Sequence, residues 1–207
     1  MTYKIAHLAD VHIKNLKYHY EYRHVFNQLY TILRKNEVDY IYIGGDIAHT
    51  KTQISPEFVQ LCSEFFTNLA EIAPLYIILG NHDGNLRNKS RQNAITPIVN
   101  ALDNPNIHLL ADAGETIVTD DLAFNVLSVF DEDNWVKPSS EDRINIAFYH
   151  GCVAGVQTDA GWVMEYGDHD VSIFAGHDFA MLGDIHKTNQ ILDEDGRVRY
   201  CGSIVQQ

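Results

Sequence analysis

The sequence lacks the features that would place it in a membrane or in an oxidising compartment. No apolar run reaches the length of a membrane-spanning helix, and the opening MTYKIAHLAD does not have the pattern of a signal peptide. Cysteine is scarce, since only Cys62, Cys152 and Cys201 are present and none belongs to a CxxC pair. Such a set forms neither an even disulfide framework nor a zinc knuckle. We therefore expect reduced cysteines in a cytoplasmic protein without membrane contact.

Several common catalytic signatures are missing as well. The sequence contains no G-x-S-x-G nucleophile elbow, no Walker phosphate loop and no G-x-G-x-x-G dinucleotide fingerprint. Serine hydrolase, P-loop and Rossmann-type chemistries therefore have little support.

Basic residues are few, with 15 Lys and Arg against 28 Asp and Glu and a formal net charge of −13. Nucleic-acid-binding proteins usually carry a basic surface, so this balance argues against one. Two stretches, 13–24 and 84–93, reverse the trend, and each follows a polar cluster described below. They are candidate nucleic-acid contacts, although an ordinary solvated surface explains such runs equally well. The candidates are Lys14, Lys17, Arg87, Lys89 and Arg91.

The length of 207 residues and the 45% hydrophobic content suit one domain with a substantial core. In the first half, apolar runs typical of strands alternate with amphipathic helices, which is the βαβ pattern of a sheet covered by helices. Shorter strands separated by turns follow, with no composition break that would mark a second domain. The predicted strands are 3–9, 39–43, 75–79, 107–110, 116–118, 123–129, 143–149, 179–182, 189–192 and 198–201, and the predicted helices are 20–36, 55–69 and 93–102.

Five short polar clusters are spread along the chain, and at least the first three directly follow predicted strands. They supply carboxylates, imidazoles and one amide, which are ligands that hard and borderline divalent metals take. Any single cluster could be an ordinary turn, but the ordered set predicts a two-metal site at the edge of a sheet. The clusters are Asp10-Val-His12, Gly-Gly-Asp46, Gly-Asn81-His82-Asp83, His150-Gly and Gly-Asp184-Ile-His186.

These residue types allow a division of roles. Two ions can activate a bridging water and hold a phosphoryl oxygen for in-line displacement. His82 can then protonate the leaving oxygen, with Asp83 holding its other ring nitrogen. His177 stays open as a rival ligand. The predicted ligands are Asp10, His12 and His186 for one ion, Asn81, His150 and Asp184 for the other, and Asp46 as the bridge.

The motifs DxH, GD, GNHD, a strand-end His and a final GxxH resemble those of the calcineurin-type metallophosphoesterase superfamily. Longer stretches are similar to its DNA-repair branch, the SbcD-type nucleases of bacteria and phages and their Mre-type relatives. These stretches are HLADVHIK, GGDIAHT, ILGNHDG, FAMLGDIHK and the closing YCGSIVQQ. The resemblance spans essentially the whole chain.

The resemblance implies an α/β fold, a four-layer α/β/β/α sandwich of two mixed sheets flanked by helices. It implies two Mn²⁺ ions and exonuclease and endonuclease activity on DNA during recombination and repair. It also implies an SbcC-type, SMC-like ABC ATPase as partner, a homodimer, and the cytoplasm of a bacterial cell or phage-infected host. The ligand roles fall on the same seven residues, the transition-state histidine on His82, and His49 matches a family histidine near the scissile phosphate.

Two departures from the family pattern change these expectations. Where the family usually has Gly-His-X-His, this chain has Gly-Asp184-Ile-His186. A carboxylate still binds a hard ion, so we expect altered affinity or metal preference at the second position. Family members also continue into a DNA-capping domain and ATPase-binding helices. We therefore expect residues 1–207 to be a single nuclease domain, with those regions absent.

Two other functions stay open. A phosphomonoesterase or cyclic-nucleotide phosphodiesterase acting on small molecules would use the same core. A metal-binding assembly subunit without chemistry is the second alternative, but His82 has no obvious role in mere metal retention. The basic stretches beside the clusters favour a polyanionic strand over a small ligand.

Overall fold

The computed structural model describes residues 2–158 and 160–205, so the last two residues of the YCGSIVQQ stretch lie outside the described part. The described elements agree closely with the predicted strands and helices. The helices are α1 (His19–Asn36), α2 (Pro56–Ala70) and α3 (Thr96–Leu102), with 3-10 helices at Glu132–Asn134 and Val171–Phe174. The strands are β1 (Ile5–Leu8), β2 (Tyr40–Gly44), β3 (Leu75–Ile78), β4 (Ile107–Leu109), β5 (Gly114–Thr119), β6 (Leu122–Leu127), β7 (Ile144–His150), β8 (Phe179–Gly183), β9 (Gln190–Ile191) and β10 (Val198–Tyr200).

The strands form two sheets. The first has the order β1-β2-β3-β4, and all its pairs are parallel. The reason is that each connection runs through a helix, and helical crossovers join parallel strands. The second has the order β5-β6-β7-β8-β10-β9 and is mixed, with antiparallel strands β5 and β9 at its two edges. The predicted two-sheet α/β fold is confirmed, although the first sheet is wholly parallel and not mixed.

The three α-helices cover the outer face of the first sheet. This core is mainly aliphatic and includes an aromatic cluster, in which the Phe26 ring of α1 stacks on Phe65 of α2 with centroids 4.0 Å apart. Helix α2 begins as its sequence predicts, because the Ser55 hydroxyl accepts a hydrogen bond from the backbone N–H of Phe58 and Pro56 occupies the first turn. None of the described helices is both long and apolar enough to cross a membrane.

A second aromatic core joins the two sheets face to face. Tyr42 of β2 and Phe148 of β7 stack with ring centroids 3.7 Å apart, surrounded by Phe124 and Tyr76. The outer face of the second sheet is covered by the loop after β7 and the 3-10 helix Val171–Phe174. Among the described residues no α-helix lies there, so this helical layer is thinner than the predicted fourth layer.

Glycines let the two sheets approach closely at one end. A β-carbon added at Gly183, the last residue of β8, would overlap the backbone oxygen of Gly44 at the end of β2. The carboxyl ends of β2 and β8 therefore meet with no side chain between their backbones. Loops that leave the strands at this edge are brought together from both sheets.

Candidate metal centre

All five polar clusters lie at this shared edge. Asp10, Asp46 and Asn81 follow β1, β2 and β3 of the first sheet, while His150 ends β7 and Asp184 follows β8 of the second. Backbone groups lock the two sets together. The N–H of Asp184 donates to both carboxylate oxygens of Asp10 at 3.0 and 3.2 Å. The edge therefore gathers ligand-type side chains that lie up to 176 positions apart in sequence.

One group of donors consists of Asp10, His12 and His186, whose ligand atoms all lie within 4.8 Å of one another. The Nε2 atoms of His12 and His186 are 3.1 Å apart. Burial is the main cause that lowers the pKa of His12 to about 3; Asp46 opposes the shift and the neighbouring imidazoles add to it. A neutral imidazole with an available lone pair is the form that binds a metal.

A second group surrounds His150. Its Nε2 lies 3.3 Å from Asp46 Oδ1 and 3.7 Å from Asp184 Oδ1. The other oxygen of Asp46 lies 3.5 Å from Nε2 of His12, so this carboxylate stands between the two groups. This is the position that a bridging ligand requires, and the structure brings all seven predicted ligands to one place.

Asn81 reaches this group through its amide nitrogen. Its Nδ2 donates to Asp184 Oδ1 at 3.3 Å. Only the amide oxygen can bind a cation, so ligation by Asn81 requires a half-turn of the amide about its last torsion.

The pKa of His150 reflects the negative charge of the carboxylates around it. Its Nδ1 lies 2.6 Å from the Gly44 carbonyl oxygen, so Nδ1 donates there and Nε2 faces the carboxylates. Burial lowers the pKa of His150, but the charges of Asp46, Asp10 and Asp184 outweigh burial and raise it to about 10. For Asp46 burial acts in the opposite direction and raises the pKa, but the interaction with His150 outweighs burial and lowers the pKa to about 2.

The donor set fits divalent metal ions. It contains three carboxylates, three imidazoles and one amide, which are ligands for hard and borderline cations such as Mn²⁺. The buried His150 Nε2 has no hydrogen-bond partner, which is typical of a nitrogen aimed at a metal. Burial and the charge of Asp46 raise the pKa of Asp10 to about 7, and a nearby cation would stabilise its ionised form.

Backbone strain accumulates at these ligands. Asp10, His12, Asp46 and Asp184 have φ angles of 53°, 47°, 53° and 99°, in a region that residues with a side chain rarely adopt. Such conformations are costly and cluster at functional sites, where the surrounding structure enforces them. Sequence patterns give no signal for this strain, because none of the four residues is glycine.

His82 and His49 stand beside the donor groups. Nδ1 of His82 lies 2.7 Å from the backbone oxygen of His49, so Nδ1 donates and Nε2 is left for the site. The backbone N–H of His82 donates to Asp46 Oδ1 at 2.9 Å. A ligand atom of His82 lies within 4.8 Å of those of His12 and Asp46, so the imidazole is close enough to act on a group bound there.

Asp83 does not hold the imidazole of His82, contrary to the sequence-based prediction. Its fully buried carboxylate accepts hydrogen bonds from the backbone N–H groups of Ala48 at 2.8 Å and Gly80 at 2.9 Å. Burial and the nearby Asp46 raise its pKa to about 7. Asp83 therefore ties together the loops after β2 and β3, and the carbonyl of His49 takes the position expected for it.

His177 lies away from the ligands. It precedes β8, whereas the ligands follow the carboxyl ends of the strands, and its Nδ1 lies 3.2 Å from the Phe174 carbonyl oxygen. It belongs to none of the possible metal groups among residues 2–158 and 160–205. The geometry therefore does not support His177 as a ligand of this centre.

The basic residues divide into two sets. Lys14 and Lys17 line a cleft beside His49, and Arg87 lines a second cleft beside His82 and Asn81. Lys89 and Arg91 are exposed but are not among the residues that line either cleft.

The sequence-based prediction missed Lys51, which lines the second cleft and whose Nζ donates to the Asn81 carbonyl oxygen at 2.7 Å. Its position could have indicated this role, because Lys51 lies only five residues after Asp46 in the loop that follows β2.

Comparisons with known proteins identify a matching family and several similar chains. A family model described as Calcineurin-like phosphoesterase matches residues 3–181. An uncharacterised protein of Acanthamoeba polyphaga mimivirus, R555, is 38% identical over 98% of this chain, which spans only 16% of that protein. A putative phosphoesterase of invertebrate iridescent virus 6, 244L, is 32% identical over 39% of the chain and 28% of its own length. The crystal structure of Pseudomonas putida nuclease MPE aligns with a TM-score of 0.36 and 19% identity, over 70% of this chain and 60% of that one.

Substitution Asp46→Ala should abolish stoichiometric binding of two Mn²⁺ ions, because one carboxylate faces both donor groups. Calorimetric titration and electron paramagnetic resonance would count the bound ions. Asp133→Ala, at an exposed acid that belongs to none of the possible metal groups among the described residues, is the matched control and should bind like the wild type. Retention of two tightly bound ions by Asp46→Ala would show that this carboxylate is not shared.

Apparent Mn²⁺ affinity should rise with pH between about 6 and 8.5, because binding must displace protons. His150, with its pKa raised to about 10, loses one proton throughout this range, and Asp10, with its pKa near 7, adds another at the acidic end. The slope is therefore about one to two decades of affinity per pH unit. Calorimetry under argon in buffers of different ionisation enthalpy measures the released protons, and a pH-independent affinity would refute this account.

Without metal, the same raised pKa gives the opposite dependence for folding stability. The contribution of the His150 ion pair is fully present below the unfolded pKa of 6.5 and is lost as pH rises through about 10.

Proposed function

This chain belongs to the calcineurin-like phosphoesterase family, and we propose that it is a metal-dependent DNA nuclease domain. The observation that carries the proposal is a pair of basic clefts, one on each side of the His49–His82 pair. The first, of about 440 Å³, contains Lys14 and Lys17. The second, of about 550 Å³, contains Lys51 and Arg87. Thr50 lines both, so the two clefts adjoin each other beside His49 and His82, and together they are called the groove below.

Such a groove suits a chain of phosphates better than a small ester. Four cations spread along it can contact phosphates before and after the cleaved bond, whereas a monoester would occupy only one cleft. The overall charge of −13 makes this local concentration of positive charge the more pronounced. Several of the acids lie in the metal centre itself, where bound cations would neutralise them.

The residues of the centre divide the chemistry between them. Divalent ions bound by the seven donors would activate a water and neutralise charge on the phosphoryl group. Nδ1 of His82 donates to the His49 carbonyl oxygen, so in the imidazolium form that a general acid requires Nε2–H faces the site. It can donate that proton to the departing sugar oxygen as general acid. His49 orients His82 through its carbonyl and borders the groove with its ring.

The finer parts of the proposal rest on the sequence motifs. HLADVHIK, GNHDG and LGDIHK support an SbcD/Mre-type enzyme that uses Mn²⁺ for exonuclease and endonuclease steps in DNA recombination and repair. A homodimer and an SbcC-type, SMC-like ATPase are the proposed partners. The cytoplasm of a bacterial cell or an infected host is the proposed compartment, which suits three free cysteines.

A substrate panel separates this proposal from its rivals. Mn²⁺- and Mg²⁺-loaded protein would be tested on single- and double-stranded DNA, on RNA, and on mono- and bis-p-nitrophenyl phosphate. Cleavage of DNA with release of nucleotides or fragments is the expected result. Activity confined to the small esters would favour the phosphomonoesterase or cyclic phosphodiesterase, and metal binding without any turnover would favour the assembly subunit.

Substitution His82→Ala should leave metal stoichiometry unchanged and lower kcat on DNA by about 10²- to 10⁴-fold, the usual worth of a general acid. The loss on bis-p-nitrophenyl phosphate should be smaller, because nitrophenolate leaves readily without a proton. His24→Ala, at an exposed histidine of α1, is the control. Wild-type rates from His82→Ala would remove this residue from the mechanism.

Substitution Arg87→Ala should raise KM for DNA about three- to tenfold and flatten its dependence on salt by about one unit. Arg91→Ala provides a matched comparison, since both arginines are exposed on the same loop and only Arg87 lines the groove. Neither change should affect bis-p-nitrophenyl phosphate. Equal behaviour of the two variants on DNA would mean that the groove does not guide the strand.

A further inference from the structure

The first cleft differs from the second in having an aromatic and aliphatic wall. Leu16 and Tyr18 line it together with Lys14, Lys17 and His49. Leu16 is 66% exposed and Tyr18 is 56% exposed, which is unusual for large apolar residues this close to a polar centre. The cleft therefore offers an apolar surface and positive charge side by side.

This wall is held rigidly although it faces solvent. Nε2 of His19 lies 2.7 Å from the Lys14 carbonyl oxygen and donates to it. The Asn15 side chain accepts a hydrogen bond from the Ser55 backbone N–H at 2.6 Å, which fixes the loop to the start of α2. The Tyr22 hydroxyl donates to the His12 carbonyl oxygen at 2.6 Å. A loop pinned at three points presents its side chains without paying to order them on binding.

Tyr18 itself is held in a strained conformation. Its φ angle is 61°, in the left-handed region that a bulky residue rarely adopts. Residues held there against their preference cluster at ligand-contacting sites. The Lys14 ammonium lies 5.1 Å from the ring centroid, above its face, so a cation and an aromatic ring form one unit.

The cleft connects directly to the reacting centre. His49 lines it, and the His49 carbonyl oxygen accepts the hydrogen bond from His82. The His49 ring centroid lies 5.8 Å from that of His12. Tyr18 thus lines the same cleft as His49, which packs against the ligand His12.

We propose that Leu16 and Tyr18 form a stacking site for one unpaired nucleobase next to the cleaved phosphodiester, with Lys14 and Lys17 contacting its phosphate. The inference rests on the proposed nuclease function and names its substrate as a single strand or an opened duplex end. An exposed ring beside cations is the combination by which proteins bind single strands without sequence preference. A paired base inside a duplex offers no free face to it, because both of its faces are stacked within the helix.

The test compares Tyr18→Ala with Tyr18→Phe, which keeps the ring, and with Tyr20→Ala, an 82% exposed tyrosine that does not line the cleft. Each variant is assayed on a single-stranded oligonucleotide, on the same strand with an abasic residue beside the cleaved bond, and on bis-p-nitrophenyl phosphate. Tyr18→Ala should raise KM for the intact strand about five- to 100-fold. It should have no further effect on the abasic strand and none on the small ester.

A binding measurement makes the outcome independent of cleavage. A strand containing 2-aminopurine is titrated with His82→Ala protein in Mn²⁺, and stacking on Tyr18 should quench the fluorescence. Loss of quenching in His82→Ala with Tyr18→Ala, and its retention with Tyr18→Phe and Tyr20→Ala, would support the site.

Equal KM in Tyr18→Ala and wild-type protein, together with equal quenching by His82→Ala protein with and without Tyr18→Ala, would overturn the stacking site while leaving the nuclease proposal intact. If the wild type cleaves no DNA, the nuclease proposal fails, and the fluorescence titration alone then decides whether the stacking site exists. Melting temperatures of the variants would show that each is folded.

Discussion

The buried ion pair between Asp46 and His150 is the interaction on which the rest of the structure depends. It joins the end of β2 in one sheet to the end of β7 in the other, with Nε2 and Oδ1 3.3 Å apart and His150 only 1% exposed. Burying two charges is costly unless they are paired and further hydrogen-bonded. The carbonyl of Gly44 and the N–H of His82 supply those additional bonds, one to each member of the pair, where the two sheets meet.

The same pair explains the character of the centre. Three carboxylates within a few ångströms of one another repel unless positive charge lies among them, and in the protein alone a proton on His150 provides it. Divalent cations can take over this role while freeing the imidazole as a ligand. Asp184 adds a third carboxylate to this balance, and carboxylates are ligands that hard ions prefer. The left-handed backbone at four of the ligands is the conformational cost of holding them so close.

Much of this arrangement could be predicted from sequence because it depends on local pattern. The βαβ alternation placed Asp10, Asp46 and Asn81 at one sheet edge, since parallel strands that follow helical crossovers all end on the same side. Features that depend on contacts between distant residues could not be predicted. The partner of His82 is the carbonyl of His49 and not Asp83, because Asp83 is taken up by backbone N–H groups of two loops. The thin outer layer of the second sheet likewise depends on how the loop after β7 folds back, for which the sequence carries no periodic signal.

The most direct test of the central claim is the anomalous scattering of Mn²⁺ in crystals of this protein. The account predicts two peaks on opposite sides of the Asp46 carboxylate, one beside Asp10, His12 and His186 and the other beside His150 and Asp184. It also predicts that the Asn81 amide has turned, so that Oδ1 and not Nδ2 faces the second peak. A single peak, or ions bound without contact to Asp46, would contradict the account.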